Sequence, residues 1–159
     1  RLNRSVRNAA RQQDHLALLF LDSDHFKQIN DTLGHAVGDE VLISVADRVR
    51  AQLREHDLVA RLGGDEFAVL LTPLQSREDA ELIAEKIVAS MKLPVQLDSG
   101  RSIATSLSVG IAYSPDDGAA PASLLNAADA AMYQAKRKRR GHWQVAQTER
   151  SANEIKNRS

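Results

Sequence analysis

The chain has 159 residues, 43% apolar and 26% charged, with 21 basic and 21 acidic side chains and no formal net charge. That is enough for one domain with a proper core, and the charge balance argues against a general nucleic-acid or membrane-surface binder, which needs a positive field. The absence of cysteine excludes thiol catalysis, disulfides and zinc–thiolate sites, and the longest apolar run, Leu16–Leu21, is far short of the ~20 residues of a membrane span.

No signal peptide is visible. The abrupt start at Arg1-Leu2-Asn3-Arg4 leads us to expect an excised domain of a longer protein, with the domain over 1–146 and a linker or connecting helix over 147–159. In chain order, Asn3–Gln13 reads as a short polar helix. Leu16–Asp22 (LALLFLD) is an apolar run ending in an acid, the pattern of a buried central strand that delivers a carboxylate to its end. Ser23–Thr32 follows as a helix with Phe26 and Ile29 on one side, and Gly34 breaks it. Gly38-Asp39-Glu40 opens a long helix to about Arg54, its stripe made by Val41, Leu42, Val45, Val49 and Leu53.

Leu58–Leu62 and Phe67–Leu71 flank Gly63-Gly64-Asp65-Glu66, a hairpin signal with two acids at its tip. Pro73–Ser76 is a loop. Arg77–Met91 is a third long helix, with Ala80, Ile83, Ala84, Ile87 and Val88 inward. Val95–Leu97 and Arg101–Ala104 form a second hairpin around Asp98-Ser99-Gly100. Thr105–Tyr113 is a core strand in which Gly110 marks close approach of a neighbour. After the loop Ser114–Pro121, Ser123 caps a helix running to about Lys138. Trp143–Val145 is a short edge strand. The pattern predicts an α/β (α+β) fold with a central mixed five-stranded sheet flanked by helices, plus a small β-hairpin.

Four groups of residues carry chemistry. Asp22, Asp65 and Glu66 come from neighbouring strands and suit a hard divalent cation engaged in phosphoryl transfer, or else a solvated charge cluster. Asp24, Lys27, Asn30, Asp31, His35 and Asp39 lie within one helix and the turn after it. There Lys27 can neutralise phosphate, and Asn30 with Asp39 can read guanine, whose N1–H and N2 amino group form a double donor that adenine lacks. The alternative is that Asn30 and Asp31 end one helix and Asp39 caps the next. Lys136–Arg140 is a basic run at a helix C-terminus: a solvated face, a nuclear-type or nucleic-acid patch, or cations folded onto a triphosphate. Arg54 and Asp57, three apart, are either a local ion pair or a fork for phosphate and guanine edges.

Arg61 followed by Gly63-Gly64-Asp65-Glu66-Phe67 resembles the signature of the GGDEF family, the diguanylate cyclases. Asp22-Ser23-Asp24-His25-Phe26-Lys27-Gln28-Ile29-Asn30-Asp31 is similar to the family's D-x-D-x-F-K-x-x-N-D block. Gly34-His35 with Gly38-Asp39, Ser108–Ala112, and Ala128-Asp129 through Lys136 are similar to its other blocks in order and spacing. The resemblance covers Asn3 to about Trp143. It implies a fold like the palm of nucleotidyl cyclases and polymerases, and condensation of two GTP molecules, one per subunit of a homodimer, to cyclic di-GMP with release of pyrophosphate.

By position, Asp22, the Ser23 carbonyl and Asp65 match ligands of Mg²⁺, with Mn²⁺ as an alternative. Asp65 also matches the base for the 3′-hydroxyl, and Glu66 completes the acidic pair. Lys27 matches a phosphate-contacting lysine, Asn30 and Asp39 the guanine readers, and His35 a neighbour in the substrate pocket. Gly63 and Gly64 match the backbone at the substrate. Lys136 and Arg140, expected on one helical face, match cations for the terminal phosphates. Arg54 and Asp57 match an R-x-x-D product-inhibition site.

The chain departs from the pattern at Arg139, where the family has glycine, and at Gly141, where it has asparagine. Lys86 stands about where a second inhibitory arginine is common. Cytoplasmic placement is implied, with any membrane anchor in parts of the parent protein outside this chain. Tyr113–Gly118 and the polar tail after Val145 resemble cyclases fused to a phosphodiesterase (EAL) domain. That keeps two further readings open: a GTP-binding regulatory module with weak synthesis, and a cyclic di-GMP receptor acting through Arg54 and Asp57.

Overall fold

A computed structural model describes residues 2–11 and 14–147; the linker expected after 147 and the end of the first expected helix lie outside the described residues. Five helices and seven strands follow one another as α1 (Leu2–Arg11), β1 (Leu16–Asp24), α2 (Phe26–Leu33), α3 (His35–Ala51), β2 (Leu58–Gly63), β3 (Glu66–Leu71), α4 (Arg77–Ser90), β4 (Val95–Gln96), β5 (Ser102–Ile103), β6 (Ser106–Ser114), α5 (Pro121–Lys138) and β7 (Trp143–Val145). Five strands form one sheet in the order β2-β3-β1-β6-β7, and β4 pairs with β5 as a separate hairpin. All pairs in the main sheet are antiparallel except β6 with β7, so the sheet is mixed.

β1 lies at the centre because it is apolar on both faces and must be covered on both. Ala17, Leu19 and Leu21 point to one face, where they pack with Val41, Val45 and Val49 of α3 and Ala80, Ala84 and Ile87 of α4. Leu16, Leu18 and Phe20 point to the other, against Val6 and Ala9 of α1 and Leu124, Ala128 and Met132 of α5. Val88, expected inward on α4, is half-buried beside the core. Among the described residues no helix is long and apolar enough to cross a membrane.

Of the boundaries that differ from the sequence reading, three bear on the site. Ser23 and Asp24 continue β1, paired with Leu107 and Ser106 of β6. Their polarity looks like a strand exit, but Ser106 and Ser108 of β6 donate to Asp24 inside the sheet, and the Ser23 hydroxyl lies 3.5 Å from that of Thr105. α3 starts at His35 and ends at Ala51. Gly34, at φ 93°, separates it from α2, so Asp39 lies inside the helix and is not its cap, while Arg54 falls in the turn beyond. α5 begins at Pro121, with Ala120 as its N-cap and not Ser123. Proline at the first helical position has no N–H to leave unpaired and a φ already suited to the helix.

The close approach expected at Gly110 is present, because α5 crosses β6 with its backbone against the glycine. A Cβ there would lie 1.9 Å from the Ala128 carbonyl oxygen and 2.4 Å from the Met132 nitrogen. Both are main-chain atoms and cannot turn aside. Gly110→Ala is therefore expected to lower stability by about 3 kcal/mol, the upper end of ordinary overpacking, measured as the urea midpoint. An unchanged midpoint would mean that α5 does not rest on the sheet at this position.

Candidate active site

The tip of the β2–β3 hairpin is built to come close to other groups. Gly63 and Gly64 have φ 154° and 48°, and a side chain at either would meet nothing within 4 Å, so their backbone faces open space. The Arg61 Nε–H donates to the Gly64 carbonyl at 2.9 Å, bracing the turn. The Ser23 N–H donates to the Asp65 carbonyl at 3.2 Å, tying the tip to β1. Across the sheet Asp22 stands opposite Glu66 on β3 and Ser108 on β6. Directly opposed residues share a face, and this is the face that α5 covers.

Crowding decides the electrostatics here. Asp22 Oδ2 accepts from Lys136 Nζ at 2.7 Å, while its Oδ1 is buried without a hydrogen-bond partner among the described residues. Asp65 has its pKa raised from 3.8 to about 6, first by burial and then by the nearby Asp22 carboxylate, with Lys136 pulling weakly the other way. Two carboxylates in such a place favour one shared proton or a cation. Among the described residues no three acids or histidines converge as a complete metal-ligand set.

A cavity of about 550 Å³ opens beside the tip, lined by Ser23, Lys27, Asp65, Lys136 and Arg140 among others. Lys136 and Arg140 do not share a helical face, since α5 ends at Lys138 and Arg139 is extended at φ −170° and ψ 128°. The chain folds back, and Arg140 Nη1 lies 3.1 Å from His25 Nδ1. Both departures from the family pattern fit this path. Any residue adopts the backbone of Arg139, and Gly141, at φ 72°, sits in the left-handed region that glycine and asparagine both tolerate.

A neighbouring cavity of about 430 Å³ is lined by Asp39, Leu42, Val59, Arg61 and Phe67 among others. Asn30, at the far end of α2, lies against Gly38, and its Oδ1 is buried with no partner among the described residues. His35 is exposed at the start of α3 and lines neither cavity.

Arg54 and Asp57 form a closed clasp in the α3–β2 turn. The Asp57 carboxylate accepts from the Arg54 main-chain N–H at 2.8 Å, from Nε at 3.1 Å and from Nη2 at 3.0 Å. The Asp57 hydrogen bond raises the Arg54 pKa, so its charge is fixed. Lys86 is exposed on α4.

Three residues take parts that sequence reasoning did not assign. Asp24 is fully buried and gathers donors from β6 and from the turn after α5. His25 holds a left-handed φ of 65° at the head of α2. Arg61 lines the second cavity while bracing the hairpin. A signal for Asp24 was available, because Ser106 and Ser108, two apart on an otherwise apolar strand, need a polar partner on one face.

Comparison with known proteins agrees with this geometry. The family described as "Diguanylate cyclase, GGDEF domain" matches residues 1–142. Diguanylate cyclase TpbB of Pseudomonas aeruginosa is 56% identical over 147 residues, 92% of this chain and 34% of TpbB. The bifunctional diguanylate cyclase/cyclic di-GMP phosphodiesterase MucR of the same species is 43% identical over 153 residues, 96% of this chain and 22% of MucR. The chain therefore spans about a third of one relative and about a fifth of the other. The crystal structure of the TpbB GGDEF domain superposes with a TM-score of 0.88 at 56% identity, covering 94% of this chain and 92% of that one. The GGDEF domain of DgcB from Caulobacter crescentus, solved in complex with c-di-GMP, superposes with a TM-score of 0.80 at 31% identity, covering 92% and 86%. A five-stranded mixed sheet with this hairpin, matched by sequence along nearly its whole length, places the chain in the GGDEF domain family.

Proposed function

We propose that the domain is a diguanylate cyclase that condenses two molecules of GTP into cyclic di-GMP with release of pyrophosphate, one GTP on each subunit of a homodimer. The observation that carries this reading is the meeting of two crowded carboxylates with a cavity lined by the cations of Lys27, Lys136 and Arg140. Asp22, Asp65 and the Ser23 carbonyl fit a divalent ion, since the donors are hard oxygens and Asp22 Oδ1 is buried without a partner. We infer Mg²⁺, with Mn²⁺ as an alternative. Bound there, the ion would neutralise triphosphate charge and lower the pKa of the attacking 3′-hydroxyl.

The remaining work falls to the side chains. Lys27, Lys136 and Arg140 hold the phosphates. Asp65 accepts the proton as the 3′-oxygen attacks the α-phosphorus of the partner's GTP and the bond to pyrophosphate breaks. Glu66, opposite Asp22, adds negative charge on the metal's side of the sheet. The backbone of Gly63 and Gly64 lets the substrate lie close. Asn30 reads guanine O6 or N7 by donating from its amide, and Asp39 accepts from N1–H and the N2 amino group with its exposed carboxylate at the second cavity, with His35 exposed at the start of α3. Product inhibition is proposed at Arg54 and Asp57, supported by a preformed clasp whose guanidinium is 42% exposed.

One observation favours a regulatory reading: MucR is named as bifunctional, and the cyclic di-GMP phosphodiesterase NbdA of Pseudomonas aeruginosa is 46% identical over 121 residues. In that case the domain binds GTP and controls an attached phosphodiesterase. A receptor role through Arg54 and Asp57 is the third possibility. Synthesis of cyclic di-GMP from GTP and Mg²⁺, assayed at several protein concentrations, separates them; GTP binding with no product at any concentration rejects the cyclase.

Asp65→Ala is expected to reduce synthesis by more than the roughly 100-fold that loss of a merely supporting residue costs. A variant close to full activity would remove Asp65 from the metal and the proton transfer. The raised pKa of Asp65 also sets a pH dependence. A proton competes with the metal, so divalent-ion affinity should climb as pH rises through about 6 and then level off. In the metal-free protein the folded chain holds this proton more tightly than the unfolded one. Its contribution to stability is therefore largest below 3.8, falls as pH rises to about 6, and is constant above. Asp65→Asn should flatten that slope in thermal melts without metal.

Arg54→Ala is expected to relieve product inhibition without changing the initial rate. It should also cost about 1–3 kcal/mol of stability, because the fully buried Asp57 carboxylate loses its cation. An inhibition curve identical to that of the unaltered domain would dismiss the clasp as the inhibitory site.

A further inference from the structure

Asp24 is fully buried, yet no step above uses it. Its carboxylate accepts from Ser106 Oγ at 2.5 Å, from Ser108 Oγ at 2.9 Å and from the Gly141 N–H at 3.0 Å. Lys136 Nζ stands 3.6 Å away, between Asp24 and Asp22. One buried anion thus touches β6, the last turn of α5 and the reversal that follows it. Burying a carboxylate is costly unless charge and hydrogen bonds compensate, so the donors around it are held firmly.

We infer that Asp24 is the positioning residue of the phosphate-binding cations, fixing Lys136 by charge and Arg140 through the neighbouring Gly141 amide. Arg139 has left the helix, so α5 itself no longer directs Arg140. What returns the chain to the cavity is the bond from Gly141 to Asp24, and Arg140 then meets His25 on the same wall as Lys136. Lys136 has a second need for Asp24. A divalent ion held by Asp22 and Asp65 would repel the ammonium and weaken its attraction to Asp22. Asp24, whose carboxylate is held by Ser106, Ser108 and Gly141, still attracts it and keeps it at the cavity.

The inference rests on the proposed binding of GTP phosphates by Lys136 and Arg140. The test is titration calorimetry on the domain with Mg²⁺, comparing 3′-deoxy-GTP, which lacks the attacking hydroxyl, with GMP. The unaltered domain is expected to bind the triphosphate more tightly. Equal binding overturns the phosphate role of the cations, and this inference with it. In Asp24→Asn the preference for triphosphate over monophosphate should fall about 10-fold or more, as for residues that orient ligands from behind, while GMP affinity holds.

A preference that persists in the folded variant overturns the inference alone, and so does an equal loss for both nucleotides, the mark of a merely structural role. Should Asp24→Asn fail to fold, the double variant Ser106→Ala and Ser108→Ala keeps the charge but frees the carboxylate to move. The same preference should then fall about threefold, a share of the loss expected when the orienting residue itself is removed. No change in a folded double variant overturns the inference.

Discussion

The structure depends on holding like charges together. Asp22 and Asp24 descend from one strand and Asp65 reaches them from the tip of the neighbouring hairpin. Left alone, three carboxylates in a half-buried place would move apart or take up protons. Three things prevent it: the backbone ladders of β1 with β3 and β6, the ammonium of Lys136 beside Asp22, and the two serines that clothe Asp24. Burial first, and then the neighbouring Asp22 carboxylate, raise the pKa of Asp65. A scaffold that holds these carboxylates together has an affinity for cations built into it.

Much of this was legible in the letters, because the strongest local signals were also the ones tertiary structure preserves. The Gly-Gly hairpin, the apolar β1 run and the tight spot at Gly110 each follow from a rule about backbone conformation or burial, and each is found. Two of the errors have their cause in tertiary context. Asp24 looks like a strand end until Ser106 and Ser108 are known to face it from a strand 82 and 84 residues away. Gly38 looks like a helix boundary until Asn30 is seen packed on it. Lys136 and Arg140 look like helix neighbours until Arg139 turns out extended. At Asp24 and at the turn after α5 a partner distant in sequence overrode a local preference, whereas Asn30 is a near neighbour of Gly38 and the start of α5 follows the local rule at Pro121.

The proposed inhibitory clasp and the proposed active site share no side chain. Arg54 and Asp57 close the turn before β2, and Gly63 ends that strand, so the link between them is the strand itself. A ligand held at the clasp would leave the crowded acids as they are. In the mechanism proposed here it acts by fixing where one subunit stands relative to another, since each subunit carries half of the reactants.

The alternation along β1 has one more consequence. Odd-numbered residues face α3 and α4, and even-numbered ones face α5, so both aspartates on this strand owe their setting to parity. Removing one residue anywhere between Leu16 and Phe20 while the pairing downstream shifted to compensate would aim Asp22 and Asp24 into the aliphatic layer and put Ser23 and His25 in their places toward Lys136. The length of this strand is therefore not free to drift: it is a counting device, and its count decides whether the carboxylates end in the core or at the cavity.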